Sequence, residues 1–328
     1  MRPFDKPALT VEKQLELLKQ RGLTVANDER ATRFLEVVTL FRLSPYMRPF
    51  QEPGDDHRFK EGSSLREIVR MYRFDAKLRH QVMAAIEKVE VAMRACLNNH
   101  MSPKYGADWF CEKNNFLRNF RHEDLLRPLL DKIQNEKVKL AREVERINTG
   151  RQTEDRKRAR IESRTRDNYF RFYGHTYNSP DLPPSWAITE ELSLGTISTL
   201  YGSLALPLDK KSIAKRFDIA HEVLASWLHT LTFIRNCCAH HARLWNRELG
   251  VRPKLPNDWD IPQVPDGRPR PKDRVYIVLT VLVYLTEVVS PDSRWKEGLI
   301  DSLGDCSEET LQQMGFPDDW RNEPYWKA

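Results

Sequence analysis

The sequence predicts an all-α fold, and three observations carry that reading. Apolar residues recur at helical spacing over long tracts, most clearly in 65–99 and 224–249. Gly is only 13 of 328 residues, while 40% of the chain is hydrophobic and 30% charged, which suits helices better than a sandwich of short strands and tight turns. Strand signals, meaning alternating β-branched and aromatic runs between turn residues, are weak throughout. At this length the chain can bury a sizeable core, and it reads as a single unit over 1–328.

Thr10 suits a helix N-cap and Gly22 a stop, with Val11, Leu15 and Leu18 on one face. A second helix spans about 28–40, and 44–56, with its Pro, Gly and Asp, reads as a loop. Ser64 caps a long tract from Leu65 to about Asn99, with a break expected near Phe74. Glu90 and Arg94 are four apart and can pair at the surface. Residues 123–148 are helical. The segment 149–171 is a charged helical or linker insertion; from Arg151 to Arg171 it carries eight basic and four acidic residues. Such a run is usually a solvated face or linker. The functional alternative is a phosphate-tracking surface formed by Arg156, Lys157, Arg158 and Arg160, because neutralising phosphates releases counterions.

A Pro-rich turn at 178–186 precedes short helices at 188–204 and 208–217. Residues 252–271 form a Pro-dense surface crossing, 275–289 is an apolar core helix, and the aromatic tail through Trp320 and Trp326 docks back on the body. No apolar run is long enough for a membrane span, and MRPFDKPALT has no apolar core for a signal peptide. The five Cys are irregularly spaced, so the expectation is a reduced, cytoplasmic chain. A net charge of +6 mildly favours a polyanionic partner.

The richest stretch is 224–249, read as one amphipathic helix. On a wheel of about 100° per residue, Asn236, His240, Arg243 and Arg247 share a polar stripe, whereas Arg235 lies in the apolar sector. A charge there needs a partner or a cleft. Glu87 or Glu90, both beside the apolar stripe of the 65–99 tract, is the expected supporting carboxylate. Cys237, Cys238, His240 and His241 make a poor zinc site, since adjacent helical residues point about 100° apart. No metal or cofactor motif is present. Arg235, Asn236 and His240 do suit metal-independent phosphodiester cleavage in RNA. The imidazole moves a proton, the guanidinium stabilises the added negative charge, and the amide orients ring or substrate. A structural reading competes: an Arg in a polar network and two exposed His.

The string RNCCAHHARLWNR at 235–247 resembles the signature of the Abi-like abortive-infection family, the AbiD/AbiF group of bacterial phage-defence proteins. The segments at 6–23, 59–79, 86–94, 182–198 and 290–295 agree in order, whereas 151–171 carries little of the resemblance. That family is similar to the HEPN superfamily, all-α and commonly dimeric, with a ribonuclease motif in which an Arg is followed after a few residues by a His. The resemblance implies a HEPN-type helical bundle with additional N- and C-terminal helices, and an endoribonuclease toxin acting in antiviral defence. Arg235 and His240 would be the catalytic pair, with Asn236 beside them and Arg243 and Arg247 holding the RNA backbone. His241 also fits the spacing, but the wheel favours His240. Related proteins are restrained by a small partner RNA, so the implied partners are RNA and a second copy of the chain. The alternative is a non-catalytic RNA- or protein-binding module.

Overall fold

Capping chemistry sets many of the helix boundaries. The computed structural model describes residue 3, residues 7–54 and residues 56–327; among them are fourteen α-helices and no β-strand. None of the helices is long and apolar enough to cross a membrane. The fold divides into two compact units. One comprises the chain up to Met83 with Cys237–Arg247, the other Ala84–Asn236 with Glu248–Ala328.

In the first unit, α1 (Val11–Gln20) starts at Thr10, whose hydroxyl accepts from the Lys13 amide at 3.4 Å. It ends at Gly22 (φ 92°), where the Leu23 amide reaches back to Leu18 O at 3.1 Å. Asn27 caps α2 (Asp28–Val38) through the Arg30 amide. Thr39, at φ 65°, breaks the chain and caps α3 (Leu40–Met47). This corrects the loop expected from residue 44. Pro45 removes the amide that would bond Phe41 O, and the Ser44 hydroxyl takes that carbonyl at 2.8 Å, so the helix survives. Then α4 (Leu65–Tyr105) runs unbroken through Phe74, because no Gly or Pro intervenes before Pro103. Its start is a capping box: Glu67 accepts from the Ser64 amide while Ser64 Oγ accepts from the Glu67 amide.

The second unit takes α4 onward from Ala84. Asp209, nearly buried, receives His100, Lys104 and Tyr105 at 2.6–2.7 Å and anchors the end of α4. A hairpin follows: α5 (His122–Asn148), α6 (Glu154–Thr165) and α7 (Tyr169–Thr176). The stretch expected as one helix at 188–204 is two, α8 (Ser185–Glu191) and α9 (Leu194–Ser203), because Ser193 caps the Thr196 amide and restarts the helix. Next come α10 (Pro207–Ala214) and α11 (His221–Ala239). As expected, α12 (Val275–Val289) is the core helix, with eleven of its side chains buried. Burying each large aliphatic side chain contributes about 1.5–3 kcal/mol. After α13 (Trp295–Gly304) and α14 (Glu308–Gln313) the aromatic tail does dock. Trp326 is 1% exposed, packs on Tyr276, Phe316 and Trp320, and donates to Thr280 Oγ1 at 3.1 Å.

Candidate functional site

Helix α11 stops at Ala239, ten residues short of the seven-turn helix the wheel assumed. Two backbone bonds close it: His241 N to Cys238 O at 2.9 Å and Ala242 N to Cys237 O at 2.8 Å. This is a Schellman ending, with His240 at the C-cap and His241 in the left-handed region at φ 55°. Residues 242–249 are not helical. The stripe that joined Arg243 and Arg247 to His240 therefore ends with the helix. Arg243 is half-buried and donates to Pro45 O at 3.3 Å; burial and then the Arg247 cation lower its pKa. Arg247 Nε bonds Arg243 O at 2.9 Å. Both side chains brace the post-helical segment.

The anchor of that segment is Asp75, which is fully buried. It accepts the Trp245 amide at 2.7 Å, the Leu244 amide at 3.1 Å and the Tyr46 hydroxyl at 2.6 Å, and it pairs with buried Arg79. Burial pushes the Asp75 carboxyl up, opposed by these bonds, and burial followed by the Asp75 charge pushes the Tyr46 phenol up. The wheel reading passed over this cluster. Its signal was present: Asp75 and Arg79 fall at helical spacing with Ile68, Tyr72 and Val82, so two charges occupy a core stripe.

On α11 itself, Arg235 is half-exposed, and Asn236 and His240 are exposed. Arg235 Nη1 turns to Asn236 Oδ1 at 3.4 Å, toward the face that Asn236 shares with the residue four further on. The carboxylate expected for Arg235 is not there. Neither Glu87 nor Glu90 forms an ion pair with it, and Glu90 is committed to Arg94, which also meets Glu190 at 3.1 Å. The physical reason is solvent: near the helix end the guanidinium reaches water and needs no buried counter-charge. Burial raises both neighbouring thiols, that of Cys238 to about 12, so neither is a ready thiolate.

Upstream, His229 and Thr232 continue the face of Asn236 at spacings of seven and four residues. They line an open cleft of about 720 Å³ together with Phe120, Ser193, Thr196 and Thr199. The same periodicity that picked out Asn236 and His240 could have extended the stripe to His229. Of the predicted basic residues on α6, Lys157 pairs with Glu154 at 2.9 Å, Arg156 and Arg158 are exposed, and Arg160 lines a cleft beside α5.

The family model described as Abi-like protein matches residues 33–246, so the chain belongs to the Abi-like family. The matched span contains both Asp75 and the motif, and it ends one residue beyond Trp245. Comparison with curated proteins and with solved structures returned no match. Membership points to abortive-infection defence.

Proposed function

We propose that the chain is a metal-independent endoribonuclease of the HEPN kind, serving as an RNA toxin in abortive infection. One observation carries the reading: in the last turn of α11 the Arg235 guanidinium has no carboxylate partner among the described residues and turns to the exposed Asn236 amide, and four residues on in the chain an exposed His240 is the helix C-cap. A structural Arg on a helix would be expected to find an acidic partner, as Arg79 does.

The chemistry needs these groups and one further proton donor. His240 takes the proton of a ribose 2′-hydroxyl as the 2′-oxygen bonds to the adjacent phosphorus. Arg235 stabilises the charge on the phosphorane oxygens, and Asn236 orients the guanidinium and the strand. The bond from phosphorus to the 5′-oxygen breaks, and that oxygen leaves with a proton as a 5′-hydroxyl. The other product ends in a 2′,3′-cyclic phosphate. One chain contributes one such imidazole, and a second copy facing the same strand supplies the proton donor. The remaining partner is a small RNA that restrains the toxin. The cleft lined by Ser193, Thr196, Thr199, His229 and Thr232, on the helix face that Asn236 continues, is the route proposed for the substrate strand.

The test is His240→Ala. The expected result is loss of RNA cleavage and of cell toxicity, with the thermal transition and RNA binding retained. Undiminished toxicity from the folded variant leaves only the non-catalytic binding module.

A further inference from the structure

We propose that the cleft between α5 and α6 grips the phosphate backbone of RNA, with Arg142, Arg146 and Arg160 as the principal contacts. The cleft has a volume of about 380 Å³. One wall is α5, which brings Lys139, Arg142 and Arg146 to one face at spacings of three and four residues. The other wall is α6, which brings Arg160 and Arg164, four apart.

Five cations thus line a cleft that has Glu143 as its one carboxylate, and Glu143 is already shared. It lies 3.7 Å from Arg164 and 3.3 Å from Arg171. Lys139 is satisfied by Glu136 at 2.8 Å. Arg142, Arg146 and Arg160 have no carboxylate within 4.0 Å among the described residues. Like charges gathered without counter-charge repel one another, and a bound polyanion removes that cost.

The gathering is held in place. Arg171 is buried, its guanidinium meeting Glu136 at 3.0 Å, Glu143 at 3.3 Å and the Arg164 carbonyl at 3.2 Å. Asn168 adds a bond to Glu136 at 3.2 Å. Gly174 lets α7 lie close on α5, since a β-carbon there would come within 3.2 Å of Ile133 Cγ2. The charged insertion is therefore a pinned helix, and the cleft exists before any ligand arrives. Four of the five cations are Arg, whose planar fork matches phosphate oxygens. The choice of RNA over another polyanion rests on the ribonuclease reading: an enzyme that cuts a strand gains from a grip on its backbone.

The experiment uses the full chain carrying His240→Ala, so that RNA stays intact, and a fluorescein-labelled single-stranded RNA of about 20 nucleotides read by anisotropy. Adding Arg142→Gln, Arg146→Gln and Arg160→Gln is expected to weaken binding at least tenfold. It should also flatten the plot of log K against log salt by about 2, from three lost phosphate contacts. Arg30→Gln with Arg33→Gln, exposed on α2 and outside the cleft, should stay within twofold. If the triple variant does not fold, Arg160→Gln alone should flatten the slope by about 0.7. Unchanged binding by the cleft variants, or equal loss in the Arg30/Arg33 pair, overturns the proposal. So does polyglutamate competing as well as RNA for the cleft. These readouts are of binding, so they stand or fall apart from whether His240 proves catalytic.

Discussion

Helices α1 and α11 end in the same hydrogen-bonded turn with different residues at its left-handed position. At the end of α1 that residue is Gly22, at φ 92°, and the Leu23 amide closes the motif onto Leu18 O. At the end of α11 it is His241, at φ 55°, and the Ala242 amide closes onto Cys237 O. A glycine adopts this conformation freely, whereas a side-chain-bearing residue resists it by about 1–2 kcal/mol. The α11 turn has supports to match. Asp75 holds the Leu244 and Trp245 amides, and Arg42 Nη2 donates to the His241 carbonyl at 2.9 Å. Glycine makes the first turn without strain, with the Arg21 carbonyl also accepting the Phe59 amide at 2.8 Å, whereas side-chain anchors from Asp75 and Arg42 hold the strained second. Strain that persists only under such bracing is typical of functional sites.

The strongest way to break the comparison is to remove the brace. Asp75→Ala leaves Arg79 buried without its partner and two amides unsatisfied, and should cost about 3–5 kcal/mol in urea unfolding. A loss below about 1 kcal/mol would show that the turn stands without its anchor.

A smaller effect of opposite sign comes from His241→Gly, which should stabilise the chain by about 1 kcal/mol, while Gly22→Ala should destabilise it by a similar amount. RNA cleavage and toxicity should survive His241→Gly, because the proton-transfer role is assigned to His240. Loss of both activities would move that role to His241. The smallest effect belongs to Glu87→Gln. With no ion pair to Arg235 to lose, it should change stability by less than about 0.5 kcal/mol and leave toxicity intact, as growth assays can check.

Two arginines show how much of the site was legible. Arg79 and Arg235 both sit on the apolar side of a helix, and sequence periodicity flags each as a conflict between pattern and residue type. It does not say how the conflict resolves. Arg79 is buried against Asp75 and is structural, while Arg235 reaches solvent beside Asn236. The wheel also carried Arg243 and Arg247 past the real end of α11. The residue at the turn is His241, not the Gly that usually announces a Schellman ending. Likewise, the charge run at 151–171 was visible, but its second wall on α5 was not, since Lys139, Arg142 and Arg146 read as an ordinary polar face until α6 folds beside them.

By itself the sequence determined the helical class, the core helix α12, the N-caps at Thr10 and Ser64 and the Arg235–Asn236–His240 spacing, because these depend on local periodicity and on groups within a few residues of one another. Tertiary structure decided where α11 ends, what holds its turn, and which arginines are spent on carboxylates. Those outcomes rest on partners far away in the chain, such as Asp75 for Trp245 and Glu136 for Arg171, whose pairing free energy is set by burial that no local pattern encodes.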